Sequence, residues 1–126
     1  MIRRPLDPVY KPPAPVLDLL VGGSGPGPLI RCRFVIDTGA DRTLIPAHVA
    51  SPLGFEDATA ARIVMYGFDG QPRDLPGGWF RIVGPGSVDE LECVVRSASV
   101  GLLGRDFLQH RRLTVDGPGG TFTVEG

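Results

Sequence analysis

The sequence predicts a mostly-β domain, a small closed barrel or sandwich with one short helix near its C-terminal end. Its 126 residues are enough for one domain with one hydrophobic core. The 18 glycines and 13 prolines lie between short apolar runs, a pattern that favours many strands and turns over long helices. Only residues 105 to about 110 have the pattern of a good helix.

The apolar runs predict the strands in chain order. The first two strands should form a hairpin across the glycine-rich turn at 22–28, and alternation along the second places Ile30, Cys32, Phe34 and Ile36 on one face. Pro46 can open one short helical turn. An Asp-Gly turn at 69–70 should return the chain antiparallel, and a last hairpin should close the domain. The predicted strands are 16–21, 29–36, 62–66, 71–75, 79–83, 91–95, 113–116 and 121–125, with a further apolar segment at 100–104.

Residues 1–15 contain five prolines and few apolar side chains. Because proline lacks a backbone donor and fixes φ, this segment is predicted to be an extended arm outside the core. The protein then divides into an arm, 1–15, and a folded domain, 16–126. A removable pro-segment is an alternative reading of the arm.

Composition argues against several classes of function. A net charge of −1 gives no basic field for nucleic acid, and no apolar run approaches the roughly 18 residues that span a bilayer. The N-terminus has no apolar segment typical of a secretory signal. Cys32 and Cys93 lie in apolar strands and are expected to be buried, reduced thiols, which with these absences suggests a cytoplasmic location. His48 and His110 lack ligand spacing, so neither a metal nor another cofactor is expected.

The segment Ile-Asp-Thr-Gly-Ala at residues 36–40 places a carboxylate at the end of an apolar strand. A buried charge is costly unless it is paired or used. Gly39 permits a tight turn with an exposed amide, and the Thr38 hydroxyl can donate and accept beside the Asp37 carboxylate. This pattern is typical of a carboxylate held rigidly at the floor of a cleft. A simple turn aspartate that caps its own loop is the structural alternative.

Two motifs resemble those of the retropepsins, the dimeric aspartic proteases of retroviruses and their cellular relatives. Phe-Val-Ile-Asp-Thr-Gly-Ala-Asp at 34–41 resembles the active-site segment, and Gly-Leu-Leu-Gly-Arg-Asp-Phe-Leu at 101–108 resembles the second family motif. Between them, residues 64–70 stand where the family has its flap hairpin, a lid over the substrate. The layout matches over roughly residues 16–115, and the C-terminal hairpin is closer to cellular and bacterial retropepsin-like domains than to viral ones.

The resemblance implies a role for each matching residue. Asp37 is the expected catalytic carboxylate, with Thr38 holding the two active-site loops of a dimer together and Gly39 contacting the substrate backbone or supporting the carboxylates. Ala40 and Asp41 are expected to bind substrate, and Leu103, Gly104 and Arg105 to support the site, with Arg105 paired to Asp41. The flap residues expected to cover the substrate are Met65, Tyr66, Gly67, Phe68 and Asp69. Contact with their own barrel is the alternative for the two aromatic residues.

The chain contains one Asp-Thr-Gly motif, whereas peptide hydrolysis of this kind needs two facing carboxylates that share a proton. The sequence therefore predicts a homodimeric aspartic endopeptidase that acts on extended peptides, with one Asp37 from each copy. The alternative is a catalytically inactive dimerisation or peptide-binding module on the same fold, because fold alone does not establish activity.

Overall fold

The computed structural model describes residues 1–66 and 69–126. These residues form ten strands, two four-residue helices and two short 3₁₀ turns at Ser51–Leu53 and Asp57–Thr59. The strands are β1 (Ile2–Pro5), β2 (Val16–Gly23), β3 (Leu29–Ile36), β4 (Leu44–Pro46), β5 (Ala61–Tyr66), β6 (Pro72–Gly84), β7 (Ser87–Arg96), β8 (Gly101–Leu103), β9 (Arg112–Asp116) and β10 (Thr121–Glu125), and the helices are α1 (Ala47–Ala50) and α2 (Arg105–Leu108).

Six strands close into a barrel, as the sequence predicts. The order along the sheet is β2-β3-β8-β4-β7-β6, and β6 then pairs back onto β2, with Val21 opposite Ile82. β5 adds to the outer edge of β6 and lies outside the closed ring. Closure removes the sheet edges that a small β domain otherwise has to protect.

Alternating apolar side chains fill the barrel. On β3, Cys32, Phe34 and Ile36 are buried as predicted and Ile30 on the same face is half-buried, while Arg31 and Arg33 on the opposite face are exposed. Three other strands each contribute a fully buried side chain, namely Val21, Ile82 and Leu103. This two-residue period is what a strand with one buried face requires.

The N-terminal segment differs from the predicted arm outside the core. β1 pairs antiparallel with β10, which pairs with β9, so residues 2–5 form an edge of a second, three-stranded sheet. Leu6 is buried and packs in the main hydrophobic cluster with Phe122 and Val124. The prolines do not prevent this arrangement, because an edge strand can accommodate a residue without a donor.

The two strands predicted at 71–75 and 79–83 are one continuous strand, β6. It runs through Pro76, Gly77 and Gly78, which the sequence alone suggests as a break. A Cβ on Gly77 would collide with the Ile63 side chain and lie 2.7 Å from the Cys93 carbonyl oxygen. Gly77 is therefore explained by close packing between β5 and β7 and not by a turn.

The remaining differences are local. β4 has three residues and was not predicted, and α2 ends at Leu108 instead of near residue 110. The other predicted strands are present with shifted ends, and the three predicted antiparallel pairings, β2–β3, β5–β6 and β9–β10, are all found. Within the described residues, no helix is long and apolar enough to cross a membrane.

Candidate active site

The loop that carries Asp37 is fixed where two parallel strands end together. β3 and β8 run side by side, with Ile36 opposite Leu103, and the Asp37 amide donates to the Leu103 carbonyl oxygen at 2.9 Å. Gly39 N–H donates to Asp37 Oδ1 at 2.9 Å, and Ala40 N–H donates to the Asp37 carbonyl oxygen at 3.2 Å. These bonds hold one carboxylate oxygen in place and leave Oδ2 for other partners.

The second motif ties this loop to α2. The Arg105 amide donates to the Ala40 carbonyl oxygen at 2.8 Å, and Arg105 Nη1 donates to the Thr38 carbonyl oxygen at 2.8 Å. The predicted ion pair between Asp41 and Arg105 is wrong: these two residues do not pair among the described residues, because the guanidinium reaches the main chain of Thr38 instead. The predicted connection between loop and helix therefore exists with another acceptor.

Close packing explains the second glycine of the motif. A Cβ on Gly104 would lie 2.6 Å from the Arg42 carbonyl carbon and 2.9 Å from the Ala40 carbonyl oxygen. A side chain there would push the Asp37 loop away from β8. Gly104 thus supports the site by allowing two stretches of main chain to approach each other.

A buried polar network beneath the loop was missed from the sequence. Thr43 is fully buried; its hydroxyl donates to Asp106 Oδ1 at 2.8 Å and accepts a bond from the Gly104 amide at 3.2 Å. Asp106 Oδ2 also accepts a bond from the Thr43 amide at 3.0 Å. The two residues are 63 positions apart, and only the Asp directly after Arg105 in the motif hinted at this partnership.

Asp37 opens onto a cleft of about 560 Å³ between its own loop and the β5–β6 hairpin. Six of the residues predicted for the site line this cleft: Asp37, Gly39, Ala40, Asp41, Met65 and Tyr66. Thr38, Leu103, Gly104, Arg105 and Asp69 are not among the residues that line it. The predicted flap residues Gly67 and Phe68 fall outside the described residues. A larger depression of about 720 Å³, beside β1 and β2, contains none of the predicted site residues.

The cleft also contains residues that the sequence did not reveal. Arg42 lies in the loop before β4, and the others come from β4, β6, β7 and β8, which meet only through the barrel topology. The only available signal was the hairpin register, which places Arg73 opposite Met65. The additional lining residues are Arg42, Leu44, Arg73, Leu75, Val94, Arg96 and Leu102.

Both cysteines are buried, unbridged thiols in the described structure, as the sequence predicts. Burial in apolar surroundings raises the pKa of Cys32 to about 11, outweighing a hydrogen bond from the Gly101 backbone, and burial also raises the pKa of Cys93. Both are therefore protonated near neutral pH. Among residues 1–66 and 69–126, no three His, Cys, Asp or Glu side chains converge as metal ligands.

Comparison with known families and structures agrees with this geometry. Residues 30–110 match the family model described as "gag-polyprotein putative aspartyl protease", and this range includes both motifs and the cleft. No sequence among curated proteins matches the chain.

Two solved structures resemble the fold. A retropepsin-like aspartic protease from Rickettsia conorii is 14% identical with a TM-score of 0.68, covering 99% of this chain and 92% of its own. EIAV protease, solved with the inhibitor HBY-793, is 20% identical with a TM-score of 0.54, covering 76% of this chain and 86% of its own. At these identities the likeness concerns the fold.

Proposed function

The chain belongs to the retropepsin-like aspartic protease family, and from this premise we propose that it is an aspartic endopeptidase that acts as a homodimer. In this proposal Asp37 of each copy supplies one of the two catalytic carboxylates. The reaction is hydrolysis of a peptide bond in an extended substrate, without a metal or another cofactor.

The observation that carries the proposal is the position of Asp37. Its carboxylate is hydrogen-bonded at one oxygen, half-buried, and lines the cleft beneath the β5–β6 hairpin. An aspartate that served only to cap its turn would not need a cleft in front of it. The tight support from Gly104 and Arg105 gives the loop the rigidity that a catalytic constellation requires.

The need for a second copy follows from the chemistry. One carboxylate must act as base toward water while another acts as acid toward the substrate carbonyl, and two carboxylates about 3 Å apart share one proton. The chain has a single Asp-Thr-Gly motif. A two-fold axis beside Asp37 would bring the same residue of a partner opposite it.

The proposed reaction has two steps. The ionised Asp37 carboxylate takes a proton from water, whose oxygen bonds to the carbonyl carbon, while the protonated carboxylate gives its proton to the carbonyl oxygen. In the second step, the tetrahedral intermediate loses a proton from one hydroxyl to the ionised carboxylate, the C–N bond breaks, and the protonated carboxyl group gives its proton to the nitrogen. The products are a carboxylic acid and an amine, and the pair again holds one proton.

The β5–β6 hairpin suits the role of a flap. β5 is joined to the sheet through β6 alone in the described part of the chain, so the hairpin can bend without opening the barrel. Met65 is half-buried against the cleft, whereas the Tyr66 side chain is 68% exposed and available to cover a bound peptide. Closure would exclude water from the reacting bond.

The test is cleavage of a peptide library between acidic and neutral pH, at several protein concentrations, by the native chain and Asp37→Asn. Asp57→Asn, at an exposed position outside the cleft, is the matched control. We expect Asp37→Asn to lose cleavage by a factor of at least about 10³ and to keep its fold, because the amide cannot act as base.

Activity per protein molecule should also rise with concentration, since the site forms only in the dimer. Cleavage that survives in Asp37→Asn would contradict the proposal. Absence of cleavage from a sample shown to be dimeric would favour the inactive binding module instead.

A further inference from the structure

The residues that line the candidate cleft include more arginines than aspartates. Arg42, Arg73 and Arg96 line it together with the carboxylates of Asp37 and Asp41. The residues that line the cleft thus include three arginines and two aspartates. If Asp37 shares one proton with its counterpart in a dimer, the negative charge of the site is smaller still.

The three arginines differ in how far they are already neutralised. Arg42 Nη1 is bonded to both the carbonyl and the carboxylate oxygen of Glu92, each at 3.2 Å. Arg73 Nη2 lies 3.6 Å from Asp69 Oδ2, and both side chains are about half exposed, so this pair is weak. Arg96, at the end of β7, forms no ion pair with any described residue.

Carboxylates are the natural partners of such groups in a peptide. A guanidinium binds a carboxylate through two parallel N–H···O bonds, and it is weakly hydrated compared with an ammonium group. An acidic side chain placed next to Asp41 would be repelled. The favourable position is the part of the cleft where Arg96 and Arg73 stand, because their charge is least compensated.

We propose, resting on the proposed function, that this cleft selects peptides with an acidic side chain close to the scissile bond. Arg96 is the principal anchor for that carboxylate and Arg73 the second. In a symmetric dimer each copy supplies one such anchor, so an acidic residue is favoured on either side of the scissile bond.

The experiment compares matched peptides that differ only in Glu or Gln, scanned through the three positions on each side of a cleaved bond. All peptides are amidated at the C-terminus, so that the terminal carboxylate cannot substitute for the side chain. The measurement is kcat/KM near pH 6, where Glu, with an ordinary pKa of about 4.3, is ionised. At least one Glu peptide should be cleaved about fivefold faster than its Gln counterpart at low salt, consistent with a partly exposed ion pair.

Substitutions of Arg96 and Arg73 test whether these residues cause the preference for Glu over Gln. Arg96→Gln should abolish the Glu-over-Gln ratio, and Arg73→Gln should reduce it. Arg31→Gln, on the outer face of β3 and outside the cleft, is the control and should keep it. Salt at about 0.5 M should reduce the ratio in the native protein, because exposed charges are screened.

The outcomes separate the two proposals. Cleavage of Glu and Gln peptides at equal rates in every position would overturn the acidic preference and leave the protease proposal intact. A preference that survives in Arg96→Gln and Arg73→Gln would also overturn it, as would one that appears only with a free C-terminal carboxylate. If no peptide is cleaved at all, the protease proposal fails and the selectivity with it.

Discussion

Near the site, Thr43 is the residue whose burial depends most on its hydrogen-bond partners. It is the one fully buried polar side chain within the described residues, and its hydroxyl connects the Asp106 carboxylate to the Gly104 amide. Both partners belong to the segment that supports the Asp37 loop. The network therefore couples local stability to the position of the candidate catalytic group.

Replacement of Thr43 tests this coupling. Thr43→Val keeps the shape but removes the hydroxyl, leaving a buried carboxylate oxygen and an amide each without one partner. We expect the free energy of unfolding to fall by about 2 kcal/mol, measured by urea denaturation at fixed protein concentration. Thr43→Ser retains the hydroxyl and should lose less than half as much. Equal losses in the two variants would show that the methyl group, not the network, matters.

The buried thiols make stability depend on alkaline pH. The folded-state pKa of Cys32, about 11, exceeds its value in the unfolded chain, about 9, so folding favours the protonated thiol. Its contribution to stability is complete below pH 9 and disappears as pH rises toward 11.

Unfolding free energies of the native chain and of Cys32→Ala, measured between pH 7 and 11, check this prediction. The native chain should lose more stability than the variant between pH 9 and 11, whatever their difference at pH 7. Parallel curves would mean that the Cys32 thiolate forms as readily in the folded protein as in the unfolded one.

For single residues, the sequence indicated which side chains belong to the candidate site but not which groups those side chains contact. Asp37 and its glycine could be placed at a cleft because a charge after an apolar strand needs an explanation. The acceptor of Arg105 could not be predicted, since Asp41 and the Thr38 carbonyl lie within reach of the same long side chain. Arg42 was missed although it directly follows the predicted site residue Asp41, because the family motif ends at Asp41, and Arg96 was missed because nothing in the sequence near it indicates a cleft.

Among the elements, β6 decides how the hairpin over the cleft is attached. It pairs with β7 and β2 inside the barrel and continues outward to pair with β5. Gly77 lies where these partners change, opposite both Ala61 and Val94. β6 is therefore both a strand of the barrel wall and one of the two strands of the hairpin.

Two adjacent glycines provide a matched test of this junction. Gly77→Ala places a methyl group against Ile63 and the Cys93 carbonyl, so β5 must shift, and we expect a loss of about 1–3 kcal/mol with reduced peptide cleavage. A methyl group on Gly78 would meet Phe55 at an ordinary 3.7 Å. Gly78→Ala should therefore stay within about 0.5 kcal/mol of the native protein. Similar effects from both variants in urea denaturation and cleavage assays would contradict this explanation.

Element prediction succeeded where the pattern was local. β2, β3, β9 and β10 have alternation or apolar runs bounded by glycine turns, and all four were predicted. β4 is only three residues long, and its pairing with β7 and β8 joins distant parts of the chain. β1 exists because β10 offers it an edge, a partnership that the proline content of residues 1–15 conceals.

For the molecule as a whole, the N-terminal segment is part of the folded structure. Leu6 is only 9% exposed and packs with Phe122, whereas Val9, three residues later, is 81% exposed. Leu6→Ala should lower the free energy of unfolding by about 2 kcal/mol or more, and Val9→Ala by less than about 0.5 kcal/mol. Chemical denaturation of both variants is the measurement. Equal, small losses in the two variants would instead support the arm outside the core that the sequence of residues 1–15 predicts.

The pairing of β1 with β10 bears on whether the same strands could be connected in a different order. Ile2 lies opposite Val124, so residues 2 and 124 lie side by side in one sheet. A linker of a few residues would join them, and new ends could be opened in the exposed turn at Gly25. Such a circular permutant should fold to the same barrel, because proximity of termini is what makes permutation tolerable. Any domain fused at either end would begin at this same sheet.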